Sequence, residues 1–123
     1  VNTVLLLGDR FALYQVTATG DMLDLVDLLV RCGEEIVVAM EKLRSPRLMR
    51  EIQAHCDHLY RLASDADDVM RRALEALYGE PVLQPADVVS LLKRREVLDL
   101  LKKSVERCEV VGDLLHGVAV KHA

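Results

Sequence analysis

The clearest helical signal in the chain lies in residues 46–78, which read PRLMREIQAHCDHLYRLASDADDVMRRALEALY. Apolar residues recur there at alternating spacings of three and four, which is the period of one face of an α-helix. These residues are Ile52, Cys56, Leu59, Ala63, Ala66, Met70, Ala73 and Leu77. Charged residues fill most positions between them, so the pattern predicts a long amphipathic helix whose apolar face packs against other helices.

Two flanking segments carry the same pattern. In the segment 21–43 the predicted face consists of Leu25, Leu29, Cys32, Ile36, Met40 and Leu43. In the segment 86–121 it consists of Leu91, Leu98, Leu101, Val105, Cys108, Leu115 and Ala119, widened by Val97, Val111 and Val118. A shorter helix is predicted at about 3–16. Because the connections are short, consecutive helices should pack antiparallel, and we predict an all-α bundle of long antiparallel helices.

Three breaks separate these segments, and each carries residues that start or end helices. At the first break Asp21 is predicted to cap the next helix. At the second, Ser45 is predicted as the N-cap, with Pro46 at the first helical position, where its missing N–H costs nothing. At the third, Gly79 suits a left-handed residue after a helix, and Pro85 suits the start of the next helix.

The composition agrees with an all-helical fold. Of the 123 residues, 51% are hydrophobic and 29% are charged, whereas 3% are aromatic, which is few for a β-sandwich of this size. A chain of this length usually forms one domain, so residues 1–123 are predicted to form a single helical-bundle domain. The three cysteines fit reduced thiols better than a disulfide framework, and two of them, Cys32 and Cys108, lie on predicted apolar faces.

Charge and hydropathy exclude two kinds of partner. The formal net charge is −4, so there is no electrostatic reason to expect nucleic acid, which normally binds a basic face. Charged residues interrupt every apolar stretch well before the ~20 residues that a bilayer crossing requires, and no signal peptide is recognisable. We therefore expect no membrane insertion and a cytoplasmic protein.

Motifs of enzymes are absent from the sequence. It has no Gly-rich phosphate loop and no nucleophile elbow, so we expect a protein that is not an enzyme. His55 and His58 lie one helical turn apart and could present two metal ligands on one face. The alternative is a structural role, because Cys56 between them belongs to the core face and no other residue at a metal-site spacing completes a tetrad.

Acidic residues cluster on the two long helices. They are Asp65, Asp67 and Asp68 on the third predicted helix, and Glu106, Glu109 and Asp113 on the fourth. Carboxylates from two helices can converge on a metal ion, although a solvated face is the simpler interpretation. If the two helices form a hairpin about the loop 79–85, Lys102 lies level with Ala63. An ion pair between Lys102 and Asp67 or Asp65 is then predicted.

The order of these segments resembles that of PhoU-like phosphate-transport regulators. The resemblance is carried by EVLDLLKKSVERCEVVGD at 96–113 with VAVK at 118–121, by DRFALY at 9–14 and by LASDADDVMRRAL at 62–74. It implies a bundle of six helices built from two similar three-helix halves, of which this chain would be the C-terminal portion. It also implies a cytoplasmic, non-enzymatic regulator whose partner is a phosphate transporter or a signalling protein, peripheral to the membrane through that transporter.

The family resemblance also implies surface metal clusters held by a Glu or Asp four residues before an Asp. In this chain the matching pairs are Ala63 with Asp67 and Lys102 with Glu106, so each motif lacks its first acid. Losing two carboxylates and adding an ammonium should weaken cation binding. We therefore predict no multinuclear cluster and no cofactor. If a single divalent or iron-type ion binds, Asp67, Glu106 and Glu109 are the predicted ligands.

Two alternative functions remain open at this point. One is a metal-binding carboxylate bundle, and the other is a structural bundle that forms a homo-oligomer through exposed apolar residues. Val88, Val89, Leu92 and Leu100 lie off the main face of the last helix and are predicted to form such an interface or to meet the remaining half of the bundle. Light scattering would test self-association, since the mass of one chain is 13.8 kDa.

Overall fold

The computed structural model describes residues 5–6 and 19–122, and three long helices account for nearly all of that range. Helix α1 spans Gly20–Lys42, α2 spans Met49–Tyr78 and α3 spans Pro85–His122, with a 3-10 turn at Pro46–Leu48 before α2. The described residues contain no β-strand. The predicted all-α bundle is therefore confirmed. The helix predicted at 3–16 lies outside the described residues except for Leu5 and Leu6, which are helical.

Contacts between side chains establish the direction of each helix. Lys42 meets Glu51 and Glu35 meets His58, so α1 and α2 run antiparallel. Arg95 near the start of α3 meets Tyr78 at the end of α2, so these two helices are antiparallel as well. Helices α1 and α3 then run in the same direction and also pack against each other.

The register between α2 and α3 differs from the prediction by roughly one helical turn. Arg94 pairs with Glu80 and Arg95 contacts Tyr78, so the residues of α3 before Arg94 extend past the end of α2. Val88, Val89 and Leu92 on this overhang are exposed. The predicted hairpin assumed that the connecting loop folds symmetrically, whereas the first turns of α3 protrude.

Helix α1 begins with a cap that differs from the predicted one. Thr19 has an extended backbone, and its hydroxyl accepts a hydrogen bond from the Met22 N–H at 3.3 Å. Asp21, the predicted cap, lies inside the first turn because the helix already begins at Gly20. It still places negative charge at the positive end of the helix dipole, together with Asp24.

The ends of α2 follow the predicted positions but not the predicted geometry. Ser45 precedes Pro46 as predicted, yet its side chain makes no capping hydrogen bond. The α-helix proper begins at Met49, three residues after the predicted first helical residue, Pro46. Gly79 does terminate α2, but with φ −83° and ψ −8° it is right-handed. The prediction of a left-handed glycine is therefore wrong, because Gly79 keeps nearly helical backbone angles after the last residue of α2.

Helix α3 begins at Pro85, as predicted. The carboxylate of Asp87 accepts hydrogen bonds from the backbone N–H groups of Leu83 at 2.9 Å and Gln84 at 3.1 Å. This is the side-chain half of a capping box, in which the third helical residue satisfies donors before the helix. A local pattern of Pro at the first position and an acid at the third thus defines this helix start.

The core contains most of the predicted faces, with corrections on α1 and α3. All eight predicted core residues of α2 are buried. On α1, Met40 is 53% exposed and Ala39 is buried instead, because Ala39 lies two turns after Cys32 on the same side of the helix. On α3, Val118 is 39% exposed, whereas Leu100, predicted to lie off the main face, is 8% exposed and belongs to the core.

One close approach between α2 and α3 occurs at a glycine. A Cβ atom at Gly112 would lie 3.4 Å from Leu59 Cδ1 and 3.6 Å from Tyr60 Cε1. The Cys56 thiol donates a hydrogen bond to the Gly112 carbonyl at 3.4 Å, which places this turn of α3 directly against α2. Nearby, the Tyr60 hydroxyl donates to Asp113 at 2.6 Å, and this hydrogen bond raises the pKa of Tyr60 to about 12.

Candidate functional site

Helix α1 carries a second apolar row beside its core face. The row consists of Leu23, Val26, Val30, Gly33, Val37 and Met40. Its spacings alternate between three and four, which is the heptad pattern by which two helices pack side by side. Leu23, Val30, Val37 and Met40 are each more than half exposed, and Gly33 has open space around its Cα. Val26 packs against the core cluster at the edge of the row, whereas the four exposed residues have no partner helix in the described part of the protein.

Acidic residues border the row on one side. Asp27, Glu34 and Glu41 each follow an exposed apolar residue of the row by four positions, so they form a ladder with a seven-residue repeat. Asp27 pairs with Arg31 at 3.1 Å on the same exposed helix surface. Within residues 19–122, Glu34 and Glu41 make no ion pair. We call the apolar row together with these three acids the outer α1 face.

The negative charge continues beyond this face. An open groove between α1 and α2 is lined by Asp24, Asp27, Asp65 and Asp68, with Arg72 as the basic residue among them. Asp65 therefore lies toward α1 and not toward α3. Of the two predicted partners of Lys102, the structure brings Asp67 and not Asp65 to its ammonium, because Asp65 and Asp67 point to different sides of α2.

A polar network joins α1 to α2 on another side of the bundle. Lys42 Nζ lies 2.8 Å from Glu51 Oε2 and 2.7 Å from His55 Nε2. An ammonium group can only donate, so His55 Nε2 accepts and its Nδ1 carries the proton. That Nδ1–H donates to Glu35, and the Nδ1–H of His58 donates to the second oxygen of the same carboxylate at 2.8 Å.

Glu35 is the centre of this network. Burial alone would raise the pKa of its carboxyl, but the hydrogen bonds from His55 and His58 outweigh burial and hold the pKa below its usual 4.5. Its side chain is 17% exposed. His55 and His58, for which the sequence left a metal-ligand pair or a structural role open, thus both donate to a carboxylate of α1. Their role in this structure is to hold two helices together.

Sequence reasoning missed Glu35 because nothing in its local sequence distinguishes it from Glu34. A usable signal did exist. The hairpin argument that was applied to α2 and α3 applies equally to α1 and α2 about the connection at 43–48. It would have placed Glu35 level with the turn of α2 that carries His55 and His58.

The residues predicted from the degraded acidic motifs meet at Lys102. Its Nζ lies 2.5 Å from Asp67 Oδ1 and 3.4 Å from Glu106 Oε1. Burial would lower the pKa of Lys102, but the hydrogen bond and charge of Asp67 outweigh it and raise the pKa above 10.5. Two of the three predicted metal ligands, Asp67 and Glu106, therefore both contact one ammonium. Ala63 is not level with Lys102, owing to the shifted register.

No group of three or more His, Cys, Asp and Glu side chains within the described ranges is arranged to hold a metal ion. Glu109 does not join Asp67 and Glu106 in such a group. The absence of a cofactor stays a prediction. The ammonium of Lys102 stands where a cation held by Asp67 and Glu106 would have to lie, and like charges at that separation repel.

Metal analysis of protein purified without chelator tests this prediction directly. We expect fewer than two tightly held transition-metal ions per chain after gel filtration, measured by inductively coupled plasma mass spectrometry. The variant Lys102→Glu should hold more metal than the wild type, because it removes the ammonium and adds a carboxylate. Two or more ions per wild-type chain would contradict the prediction.

None of the described helices combines the length and the hydrophobicity that crossing a bilayer would require.

The fold and the outer α1 face define a class of protein, namely a bundle of long helices with an exposed apolar row that acidic residues border. No protein-family model matches the chain. It is similar to UPF0111 protein YkaA of Bacillus subtilis (strain 168), with 24% identity over 112 residues, or 90% of this chain and 52% of that protein. The chain spans about half the length of the curated relative it matches.

Proposed function

We propose that the chain is a non-enzymatic regulatory module of phosphate transport or phosphate signalling that acts in the cytoplasm by binding another protein. The resemblance of its sequence to PhoU-like regulators supports the biological process. The exposed outer α1 face supports the mode of action, because a heptad row with four residues more than half exposed is the kind of surface that a partner helix covers. No bond is made or broken in this mechanism.

The charge of the outer α1 face selects the chemistry of the partner. A helix packed along the row of Leu23, Val30 and Val37 would bring its own flanking residues against Asp27, Glu34 and Glu41. Lysine or arginine at those flanking positions would form interhelical ion pairs, whereas acids would repel. The occupant we propose is a basic amphipathic helix, supplied by the cytoplasmic part of a transporter or by a signalling protein.

A second copy of the same helix is a poorer occupant. In an antiparallel pair of α1 helices the acid ladders would face one another. In a parallel pair each ladder would face the positions of Leu29, Ile36 and Leu43, which pack toward the core of their own chain. Neither arrangement supplies a cation to Glu34 or Glu41. The charge pattern therefore favours a different chain as the partner.

The proposal is tested with a synthetic helical peptide that has Leu and Val at its seam and Lys at its flanking positions. We expect the wild-type chain to bind it, as measured by calorimetry, and the double variant Val30→Asp/Val37→Asp to bind at least tenfold more weakly. A matched peptide with Glu in place of Lys should not bind. Leu92→Asp serves as the control variant, because Leu92 is equally exposed but lies on α3.

The same variants test the biological process in cells. Chromosomal replacement by Val30→Asp/Val37→Asp should change uptake of radiolabelled phosphate as deletion of the gene does, whereas Leu92→Asp should not. If deletion leaves phosphate uptake and phosphate-regulated transcription unchanged, the regulatory proposal is wrong. If deletion has an effect and the folded double variant behaves like the wild type, the outer α1 face is not the binding surface.

A further inference from the structure

Helix α3 carries an exposed row of its own along its C-terminal half. Its members follow one another at spacings of three and four and include no acid. We call this row the outer α3 row, and it consists of Lys103, Arg107, Val110, Leu114, Val118 and Lys121. Within residues 19–122 the three cations of the row make no ion pair. They are therefore available to a partner.

The outer α3 row lies on the side of α3 that faces away from α2. Lys102 meets Asp67, and Gly112 lies close to Leu59. Lys102 and Gly112 thus mark the side of α3 that packs against α2. Arg107 is five residues from each of them, which is a rotation of about 140° around the helix.

The apolar row of α1 faces away from α2 in the same way. Glu35 marks the α2 side of α1, because it meets His55 and His58. Val30 and Met40 are each five residues from Glu35, so they also lie about 140° around the helix from that contact. Since α1 and α3 pack against each other, the two rows lie side by side on the face of the bundle opposite α2, with a groove between them.

The alignment of the two rows follows from contacts in the core. Met22 and Leu98 line one small cavity near the start of α1. Ala39 and Leu115 belong to one core cluster near the end of α1. Each pair is 76 positions apart, so a residue of α1 lies level with the residue of α3 that follows it by this offset.

The two edges of the groove carry opposite charges. The α1 edge is acidic and consists of Asp27, Glu34 and Glu41. The α3 edge is basic, with Lys103 level with Asp27 and Arg107 within about one turn of the level of Glu34. A helix seated in the groove would therefore meet acids along one of its edges and cations along the other.

We infer that the partner helix of the outer α1 face lies in this groove and is charged oppositely on its two edges, basic toward α1 and acidic toward α3. The inference rests on the proposed function, which requires cations opposite the acids of α1, and adds the second edge. Acids on that edge would form ion pairs with Lys103 and Arg107, whereas lysines there would be repelled.

Because the two edges differ, the charge pattern of the partner also fixes its direction. In a helix with apolar a and d positions, the e and g positions form the two edges. A helix that lies in the groove parallel to α1 turns its g positions toward α1, whereas an antiparallel helix turns its e positions there. A partner with Lys at g and Glu at e therefore lies parallel to α1, and one with the edges exchanged lies antiparallel.

Calorimetry with synthetic helical peptides that share one Leu and Val seam tests the edges. A peptide with Lys on one edge and Glu on the other should bind the wild-type chain about tenfold more tightly than a peptide with Lys on both edges. This preference should shrink when salt is raised to about 0.5 M, because exposed ion pairs are screened. A peptide with Glu on both edges should bind most weakly.

Two variants show whether α3 forms the second edge. Lys103→Glu/Arg107→Glu should reverse the order, so that the peptide with Lys on both edges binds most tightly. Arg50→Glu/Arg61→Glu is the matched control, because it changes the net charge equally but alters exposed cations of α2.

A photo-crosslinker on the N-terminus of each two-edged peptide reads the direction. With Lys at e and Glu at g, it should label the tryptic peptides 32–42 and 108–121, which cover the far end of the groove. With Lys at g and Glu at e, it should label the residues near the start of α1 instead.

Equal binding of the two-edged peptide and the peptide with Lys on both edges would overturn the inference, as would an unchanged order in Lys103→Glu/Arg107→Glu. Either result leaves the proposed function intact. If no peptide with Lys binds the wild type, the outer α1 face is not a binding surface and both proposals are wrong. A dimer in light scattering that the peptides do not dissociate would place a second copy in the groove, which also overturns the inference.

Discussion

Replacing Leu101 with alanine is expected to lower the free energy of unfolding by about 2–5 kcal/mol. Leu101 is fully buried on α3, within the core cluster that joins all three helices. Removal of its isobutyl group loses the transfer free energy of the buried carbons and leaves a cavity that long, straight helices cannot readily collapse into. Since small domains are stable by only about 5–15 kcal/mol, this one change removes a large share of the total.

Urea unfolding followed by circular dichroism at 222 nm measures this effect. Leu92→Ala on the same helix is the matched control, because Leu92 is 61% exposed and its truncation should change stability by less than about 0.5 kcal/mol. Leu101→Met, which nearly conserves volume, should cost less than about 1.5 kcal/mol and shows whether the site tolerates any change. Equal effects of the two alanine variants would mean that Leu101 is not in the core.

Replacing Glu35 with glutamine is expected to lower the free energy of unfolding by about 1–3 kcal/mol near pH 7, which is the usual cost of losing hydrogen bonds to a charged group. The carboxylate accepts from both His55 and His58. Glutamine offers one acceptor oxygen, and its NH₂ group would face the second histidine donor. The neighbouring variant Glu34→Gln is the control, because Glu34 is exposed and should change stability by less than about 0.5 kcal/mol.

The effect of Glu35 should depend on pH in a defined direction. The pKa of Glu35 lies below its usual 4.5 in the folded protein, so the folded state favours the ionised form. The resulting stability is fully present above pH 4.5 and is lost as the pH falls through the lower folded pKa. The difference in the free energy of unfolding between wild type and Glu35→Gln should therefore shrink as the pH falls below 4.5.

Unfolding curves of both proteins at several pH values measure that difference. A wild-type advantage that grows as the pH falls from 4.5 toward 3 would contradict the assigned role of Glu35. A double variant, Glu35→Gln with His58→Gln, separates the two hydrogen bonds. The sum of the losses of unfolding free energy in the two single variants should exceed the loss in the double variant, because each single change already removes the hydrogen bond between Glu35 and His58.

The core faces of the helices were readable from the sequence because amphipathic periodicity is a local property. Along α2, the alternation from Ile52 to Leu77 needs no knowledge of the partner helices, and every predicted residue is buried. The errors on α1 and α3 concern residues at the edges of a face. There, a rotation of a fraction of a turn decides whether Met40 or Ala39 points inward, and that rotation depends on packing.

The contacts between helices were less predictable, because their register depends on where a loop turns. The hairpin assumption brought Lys102 to the correct part of α2, and the structure places it against Asp67. The same assumption placed Ala63 and Asp65 level with Lys102. In the structure they are not, because the first turns of α3 overhang the end of α2. An error of one turn in register changes every pairwise contact while leaving both core faces intact.

By itself, the sequence determined that this protein is all-helical, where α2 and α3 begin and end to within a few residues, and which side of each helix is mainly apolar. These features depend on short-range periodicity and on Pro and capping residues. Only the tertiary structure decided that Glu35 of α1 accepts hydrogen bonds from both His55 and His58, and that Leu23, Val30, Val37 and Met40 stay exposed in the described part of the chain. The reason is physical: these features depend on the rotation and offset of whole helices, which packing over many residues sets together and which no local pattern encodes.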